Sequence, residues 1–203
     1  MKSALSCAIL SARPGSVARD TSDEIIIKRI AARDKLAMHL LYTRHHVRVF
    51  RFAVRIVHDD ALAEDLVNEV FLEVWRKAGT FAGRSQVSTW LLAITRHNAY
   101  EIARRRSTDR LDDDAYELVA DTSDDPETSI YKKQNGSILF GCLSNLPPHQ
   151  REIIDLVYYH EKSIDEAAAI LRVPRNTVKT RMFYARQRLT QLLATKGVHT
   201  TRM

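Results

Sequence analysis

In the last quarter of the chain Val178, Met182, Ala185, Leu189 and Leu192 recur four, three, four and three residues apart. That spacing gathers them on one side of a helix and would scatter them over both faces of a strand, so it commits the segment to a helix with one buried stripe. The same period runs earlier. From Asp34, the residues Leu36, Leu40, Val47, Phe50, Val54 and Val57 alternate with Arg44, Arg48, Arg51 and Arg55, predicting an amphipathic helix that ends near His58-Asp59-Asp60. A second is predicted from about Ala61 through Leu62, Leu66, Val70 and Val74 to Trp75, with Asp59 and Asp60 placed to complement its N-terminal dipole. A third starts near Ser85 or Ser88 and runs through Trp90, Leu91, Ile94 and Ile102 into Arg104-Arg105-Arg106. With only 6 Gly and 5 Pro in 203 residues, the turn chemistry that many short strands need is missing. The fold class is all-α. At this length, with 45% hydrophobic residues, the chain has room for one domain or two small ones, each with a core.

Residues 107–129 break the period. They carry Asp112-Asp113-Asp114, Asp121 and Asp124-Asp125-Pro126-Glu127 with few large apolar residues, and read as an extended acidic linker that lets two folded units take different relative positions. Beyond it a short helix is predicted over 129–143, then Pro148 to Tyr159 with proline in its first turn, Ser163 to Leu171, and Asn176 to Leu193. Ser163 and Glu166 form a capping-box pair, and Arg172-Val173-Pro174 is a tight turn. The division expected is a disordered tail over 1–30, a helical unit over 31–106, the linker over 107–129, a second unit over 130–195 and a short tail over 196–203. Lys2 followed by Ala4 to Leu10 faintly resembles a signal peptide, but Ser3 and Ser6 dilute it and Arg13 follows at once, so a tail is expected there.

Charge follows the same division. Residues 31–106 hold 13 Lys and Arg against 8 Asp and Glu, residues 107–145 hold 3 against 9, and residues 146–203 hold 10 against 5. Two basic blocks flanking an acidic one point to a polyanionic partner, of which DNA and RNA are the commonest. The second unit has the plan of a helix-turn-helix, whose last helix can enter a major groove with Lys and Arg reaching guanine edges or phosphate.

Other classes fit poorly. No apolar run approaches the roughly 20 residues that cross a bilayer, so no membrane insertion is expected. Cys7 and Cys142 stand too far apart in sequence for a disulfide framework, which suits a reducing cytoplasm, and whether either senses redox state is open. The eight His are scattered, adjacent His45 and His46 point in different directions on a helix, and neither a phosphate-binding P-loop nor a nucleophile elbow is present. No catalytic residue, metal or cofactor is expected.

Specific motifs sharpen the reading. Leu146-Pro147-Pro148-His149-Gln150-Arg151-Glu152, Ser163-Ile164-Asp165-Glu166-Ala167-Ala168, Val173-Pro174-Arg175-Asn176-Thr177-Val178-Lys179-Thr180-Arg181 and Ala185-Arg186-Gln187-Arg188-Leu189 resemble region 4 of bacterial extracytoplasmic-function (ECF) sigma factors. The first unit resembles region 2 of the same family. Its Ala63 to Leu72 with Trp75 resembles the core-polymerase-binding helix, and Phe81-Ala82-Gly83-Arg84-Ser85 with Ser88 to Leu91 and Ile94-Thr95-Arg96 resembles the promoter-melting segment. The resemblance implies a sigma factor that binds core RNA polymerase and promoter DNA, has no catalysis of its own, and serves a stress response under an anti-sigma factor.

It also implies roles for residues. Asp65, Asn68, Glu69, Leu72 and Glu73 fall to polymerase binding. Phe81, Gly83, Arg84, Ser85, Gln86, Val87, Trp90, Arg96, His97, Arg104 and Arg105 fall to the minus-10 DNA, and Arg175, Asn176, Thr177, Lys179, Thr180, Arg181, Phe183, Tyr184 and Arg186 to the minus-35 DNA. The chemistry of the loop agrees, since Phe81 and Trp90 offer stacking surfaces for unpaired bases, Gly83 close backbone approach, and Arg96 with His97 phosphate contacts. Ala82, Arg84, His97, Glu101 and Asn176 depart from residues usual in the family, which bears on the promoter sequence read. The alternative is a helix-turn-helix regulator that binds duplex DNA as a dimer; it has no need of an acidic docking stripe followed by a melting loop.

Overall fold

The computed structural model describes residues 21–109, 139 and 141–196, and among them all regular structure is helical. Seven α-helices follow in order: α1 (Asp23–Ala31), α2 (Lys35–Val57), α3 (Asp60–Lys77), α4 (Val87–Asp109), α5 (Pro148–Ile154), α6 (Ile164–Leu171) and α7 (Arg175–Thr195). A 3-10 turn, Ala78–Thr80, closes α3, and a π-helical turn, Asp155–Tyr159, continues α5. Most of the linker, the tails and most of the helix expected over 129–143 lie outside the described residues; the backbone at 141–144 is helical, and α4 runs past the expected linker start to Asp109.

Helix α1 corrects the expectation of a disordered tail for residues 23–30; residues 1–20 lie outside the described residues. Ser22 caps the helix by accepting from the Ile25 amide, Asp23 and Glu24 occupy its first turn, and Lys28 and Arg29 its last, each sign matched to the helix dipole. Nine residues rich in β-branched isoleucine make a poor helix in isolation. Burial of Ile26, Ile27 and Ile30 against the rest of the first unit holds it, and that is a tertiary cause.

Helix α2 is where expected, but its buried stripe is shifted. Ala37, Leu41, His45, Val49, Phe52 and Ala53 are buried, whereas Leu36 is 76% exposed and Val47 46% exposed. The reason is that α2 packs against α1, α3 and α4 together, so small Ala37 and Ala53 sit where neighbouring backbones come closest. Asp34 caps α2 through bonds to the Leu36 and Ala37 amides, and His58 ends it in the left-handed conformation. Asp59 caps α3 in the same way.

In the second unit both halves of the Ser163–Glu166 capping box form, and α6 ends at Arg172 in the left-handed conformation before the Pro174 turn into α7. The α7 stripe is buried at Val178, Met182 and Ala185 and half-buried at Leu189 and Leu192.

One core lies among α1 to α4. The other combines Leu146, Ile153, Leu156, Ile170, Val178 and Met182 with Phe52 of α2 and Leu92 of α4. The two units therefore share a core, and in this conformation they lie packed together.

Candidate nucleic-acid interface

Helix α7 buries one stripe and leaves its other sides to solvent. Asn176, Lys179, Thr180, Phe183, Tyr184 and Arg186 are exposed, with Thr177 and Arg181 half-buried along the rim. Phe183 and Tyr184 are 64% and 53% exposed, an unusual placement for two adjacent aromatics. Arg186 lies over the Tyr158 ring with its guanidinium carbon 5.6 Å from the centroid, and Arg175 pairs with Asp165 at 3.1 Å. Apart from Arg175, these side chains form a surface of cations, a hydroxyl, an amide and stacking rings at a helix that begins at Pro174 with no side-chain cap. That combination suits phosphates and base edges.

The loop between α3 and α4 is held at its ends and open in its middle. Phe81 packs against Trp90, ring centroids 5.1 Å apart, both half-buried on the first core. Gly83 has φ +66°, a conformation that strains any residue with a Cβ, and the space beside it is open. Ala82, Gly83 and Arg84 are exposed, and Ser85 is half-buried. Val87, expected among the DNA contacts, is 1% exposed. It is corrected to a core anchor that fixes the start of α4, because the helix's first turn must bury an apolar residue to hold the loop. His97, Arg104 and Arg105 line the exposed side of α4, with Arg104 bonded to Glu101 at 3.0 Å.

On α3, Asp65, Asn68, Glu69 and Leu72 are exposed in a row, Leu72 at 54%. Glu73 differs from them: it bonds Lys77 at 2.7 Å and Asn98 at 3.1 Å. Burial alone would raise its pKa, but these two hydrogen bonds outweigh burial and hold its carboxyl below the usual range.

Several polar residues lie between the units, among them Glu152, Lys162, Ser88 and Thr89, to which the sequence analysis gives no binding role. Arg96 donates from Nε to Glu152 Oε1 at 2.6 Å and from Nη2 to Oε2 at 3.3 Å, and its guanidinium covers the Tyr100 ring. Lys162, 4% exposed, places its ammonium 2.6 Å from Ser88 Oγ, 3.2 Å from Glu166 Oε1 and 3.3 Å from Gln86 Oε1. Thr89 donates its hydroxyl to Glu166 at 2.6 Å. Burial would raise the pKa of Glu166, yet the bonds from Thr89, Ser163 and Lys162 bring it down to about 2.

Further along, Arg55 of α2 pairs with buried Asp155 and stacks on Tyr159, while Arg51 donates to the Tyr159 hydroxyl at 2.6 Å. His160 is 2% exposed, edge-on to Phe52. Burial, then the positive charges of Arg55, Arg48, Lys162 and Arg51, push its pKa down to about 3, so it is neutral. The π turn supplies this geometry: one residue more per turn changes the phase at which Asp155 and Tyr159 leave the helix. A spacing rule based on the α period has no signal for it.

Among the described residues no group of three or more His, Cys, Asp or Glu could hold a metal, and no helix is long and apolar enough to cross a membrane.

Comparison with known proteins agrees with this layout. Residues 41–109 match the family Sigma-70 region 2, and residues 138–189 match Sigma-70, region 4. The chain is 30% identical over 175 residues to the ECF RNA polymerase sigma-E factor of Escherichia coli K12, covering 82% of this chain and 91% of that protein. It is 27% identical over 180 residues to the RNA polymerase sigma-H factor of Pseudomonas aeruginosa, covering 84% and 93%. Among solved structures, the sigma factor RpoE in complex with the anti-sigma factor NepR from Bartonella quintana aligns with a TM-score of 0.63 at 28% identity, covering 75% of this chain and 94% of that one.

Proposed function

This chain belongs to the ECF type of the sigma-70 family, and from that premise we propose that it binds core RNA polymerase, brings it to a promoter and opens the DNA, as a transcription initiation factor without catalysis of its own. The observation that carries the reading is the presence on one chain of three distinct surfaces in the family's order: the exposed acidic row on α3, the open loop before α4 and the basic, aromatic face of α7. A dimeric helix-turn-helix regulator accounts for the third alone.

In this reading residues 31–106, extended now to include α1, form the unit that docks polymerase and takes the minus-10 element, and residues 130–195 form the unit that reads the minus-35 element. Asp65, Asn68, Glu69 and Leu72 meet the polymerase. Phe81, Gly83, Arg84, Ser85, Gln86, Trp90, Arg96, His97, Arg104 and Arg105 meet the opened strand, and Arg175, Asn176, Thr177, Lys179, Thr180, Arg181, Phe183, Tyr184 and Arg186 of α7 meet duplex DNA. The site of action is the cytoplasm, where the polymerase is. Control by an anti-sigma factor is supported by the solved sigma–anti-sigma complex that aligns with this chain, and a stress response is the setting the family resemblance implies.

Run-off transcription with purified core polymerase on a promoter library tests the proposal. The expected outcome is start-site-specific transcripts sharing two upstream elements; binding of library duplexes by the free dimer, with no polymerase-dependent transcripts, would establish the regulator instead.

A further inference from the structure

Arg33 stands where the backbone favours glycine. At the end of α1 the Asp34 amide donates to the Arg29 carbonyl at 3.1 Å and the Arg33 amide to the Ile30 carbonyl at 2.8 Å, with Arg33 at φ 66°. This pair of bonds is the Schellman ending of a helix, and its left-handed position usually falls to glycine because a Cβ is strained there. An arginine held in that conformation implies work for its side chain.

The side chain crosses to the far end of α3. Arg33 donates from Nη1 to the Trp75 carbonyl at 3.0 Å, and its guanidinium carbon lies 5.4 Å from the centroid of the Trp75 ring. Trp75 is among the last four residues of α3, whose carbonyls find no partner within the helix, and the helix dipole favours a cation there. Three residues on, Ala78 is 3% exposed and begins the 3-10 turn that leads into the loop before α4. That turn packs mainly on α1. Helix α1 is in turn fixed at both ends: Asp23 pairs with Arg44 at 2.9 Å and meets His45 Nε2 at 2.7 Å, and Arg29 pairs at 2.7 Å with Asp34, the cap of α2.

We propose that α1 braces the loop before α4 and that Arg33 is its positioning residue: by holding the end of α3, it sets where the loop leaves the first unit and so where an unpaired base is taken up. The taking up of a base rests on the sigma-factor reading proposed above, but the brace itself does not. Both α1 and Arg33 lie ahead of the segment that matches Sigma-70 region 2. The need for a brace follows from the loop. Phe81 and Trp90 pack together, but Ala82, Gly83 and Arg84 between them are exposed and cannot fix where the loop begins. A surface that captures an unstacked base must be formed beforehand, because ordering it during capture subtracts from the energy that keeps the strands apart.

Arg33→Gly in the full chain separates the side chain from the backbone. Glycine adopts the left-handed conformation without strain, and that relief is set against the greater freedom of the unfolded chain. Thermal unfolding and helical circular dichroism are expected to match the parent's. Hydrogen exchange of the amides from Ala78 to Phe81, among them the bond from Phe81 to the Ala78 carbonyl, is expected to be about tenfold faster, the size of one hydrogen bond from a charged donor, with α6 unchanged. Equal exchange in parent and variant overturns the brace. Arg33→Asn also tolerates the left-handed conformation and is too short to reach Trp75, so it is expected to behave as Arg33→Gly does; an Asn variant that exchanges like the parent would trace the glycine effect to backbone freedom and overturn the role of the side chain.

With core polymerase, Arg33→Gly is expected to bind as the parent does, to transcribe a pre-opened bubble at the parent's rate, and to open a linear promoter about tenfold more slowly by permanganate reactivity, the same hydrogen bond being lost. Opening at the parent's rate overturns the positioning of the loop. Losses of core binding or of bubble transcription as large as the loss of opening assign Arg33 to docking and overturn it too. If neither parent nor variant binds core polymerase, the sigma-factor reading fails, and the hydrogen exchange still decides the brace.

Discussion

The ammonium of Lys162 lies 2.6 Å from the hydroxyl of Ser88, a residue 74 positions earlier in the chain. Neither residue is among the predicted DNA or polymerase contacts, yet together with Glu166 and Gln86 they help fix how the region 4 unit lies on the region 2 unit. The two surfaces proposed to read DNA are thus unequal in this conformation: the outer side of α7 is open, and α4 is partly covered.

The acidic row on α3 predicts the first outcome. Asp65→Arg with Glu69→Arg is expected to abolish co-purification with core polymerase and leave helical circular dichroism unchanged. Both residues are exposed, so reversing them costs the fold little, whereas like charge facing a partner costs affinity and association rate. Polymerase retained by the folded variant would remove α3 from the docking surface.

On α7, Lys179→Ala and Arg186→Ala are each expected to weaken duplex binding and to reduce the slope of log affinity against log salt by about one, the counterion share of one phosphate contact. Arg186 also stands over the Tyr158 ring, so its loss frees that ring without opening a cavity. A slope equal to the parent's in both variants would move the recognition surface off this face.

The loop before α4 makes a prediction separable from binding. Arg84→Gly with Ser85→Gly leaves Gln86, which also meets Lys162, in place. Permanganate-reactive thymines near the start site are expected to disappear on linear DNA, while a template with a pre-opened bubble restores transcription. Unstacking a base costs a few kcal/mol that the loop must return. Equal failure on the bubble would point to a defect in docking instead of opening.

Buried His160 predicts a pH dependence of stability. Its folded pKa is about 3 against an ordinary 6.5. Between those values the unfolded chain takes up a proton that the folded chain refuses, so stability is full above pH 6.5 and declines as pH falls toward 3. The groups around it are Arg55, Arg48, Lys162 and Arg51, whose charges oppose protonation, and Asp155, whose carboxylate lies 3.4 Å from Nε2. His160→Gln is expected to flatten the loss of thermal stability between pH 6.5 and pH 5, a window above the ordinary titration of Glu166. An unaltered slope would assign the acid sensitivity elsewhere.

Helices with a clean three-four period and a capping residue were legible from the chain itself, because those signals act within one turn: the α3 stripe from Leu66 to Val74, the Ser163–Glu166 box, and the α7 stripe through Val178, Met182 and Ala185. The motif order fixed the family for the same reason, being local and written in sequence. The tertiary structure decided three further things. It made α1 a helix, by burying isoleucines whose own propensity is weak. It turned α2 so that Ala37 and Ala53, not Leu36 and Val47, lie inside, because three neighbouring helices compete for its surface. And it brought Glu152 to Arg96 and Lys162 to Ser88 across the two units, a pairing that depends on the packing of separate helices and on a π turn, neither of which leaves a periodic trace in the sequence.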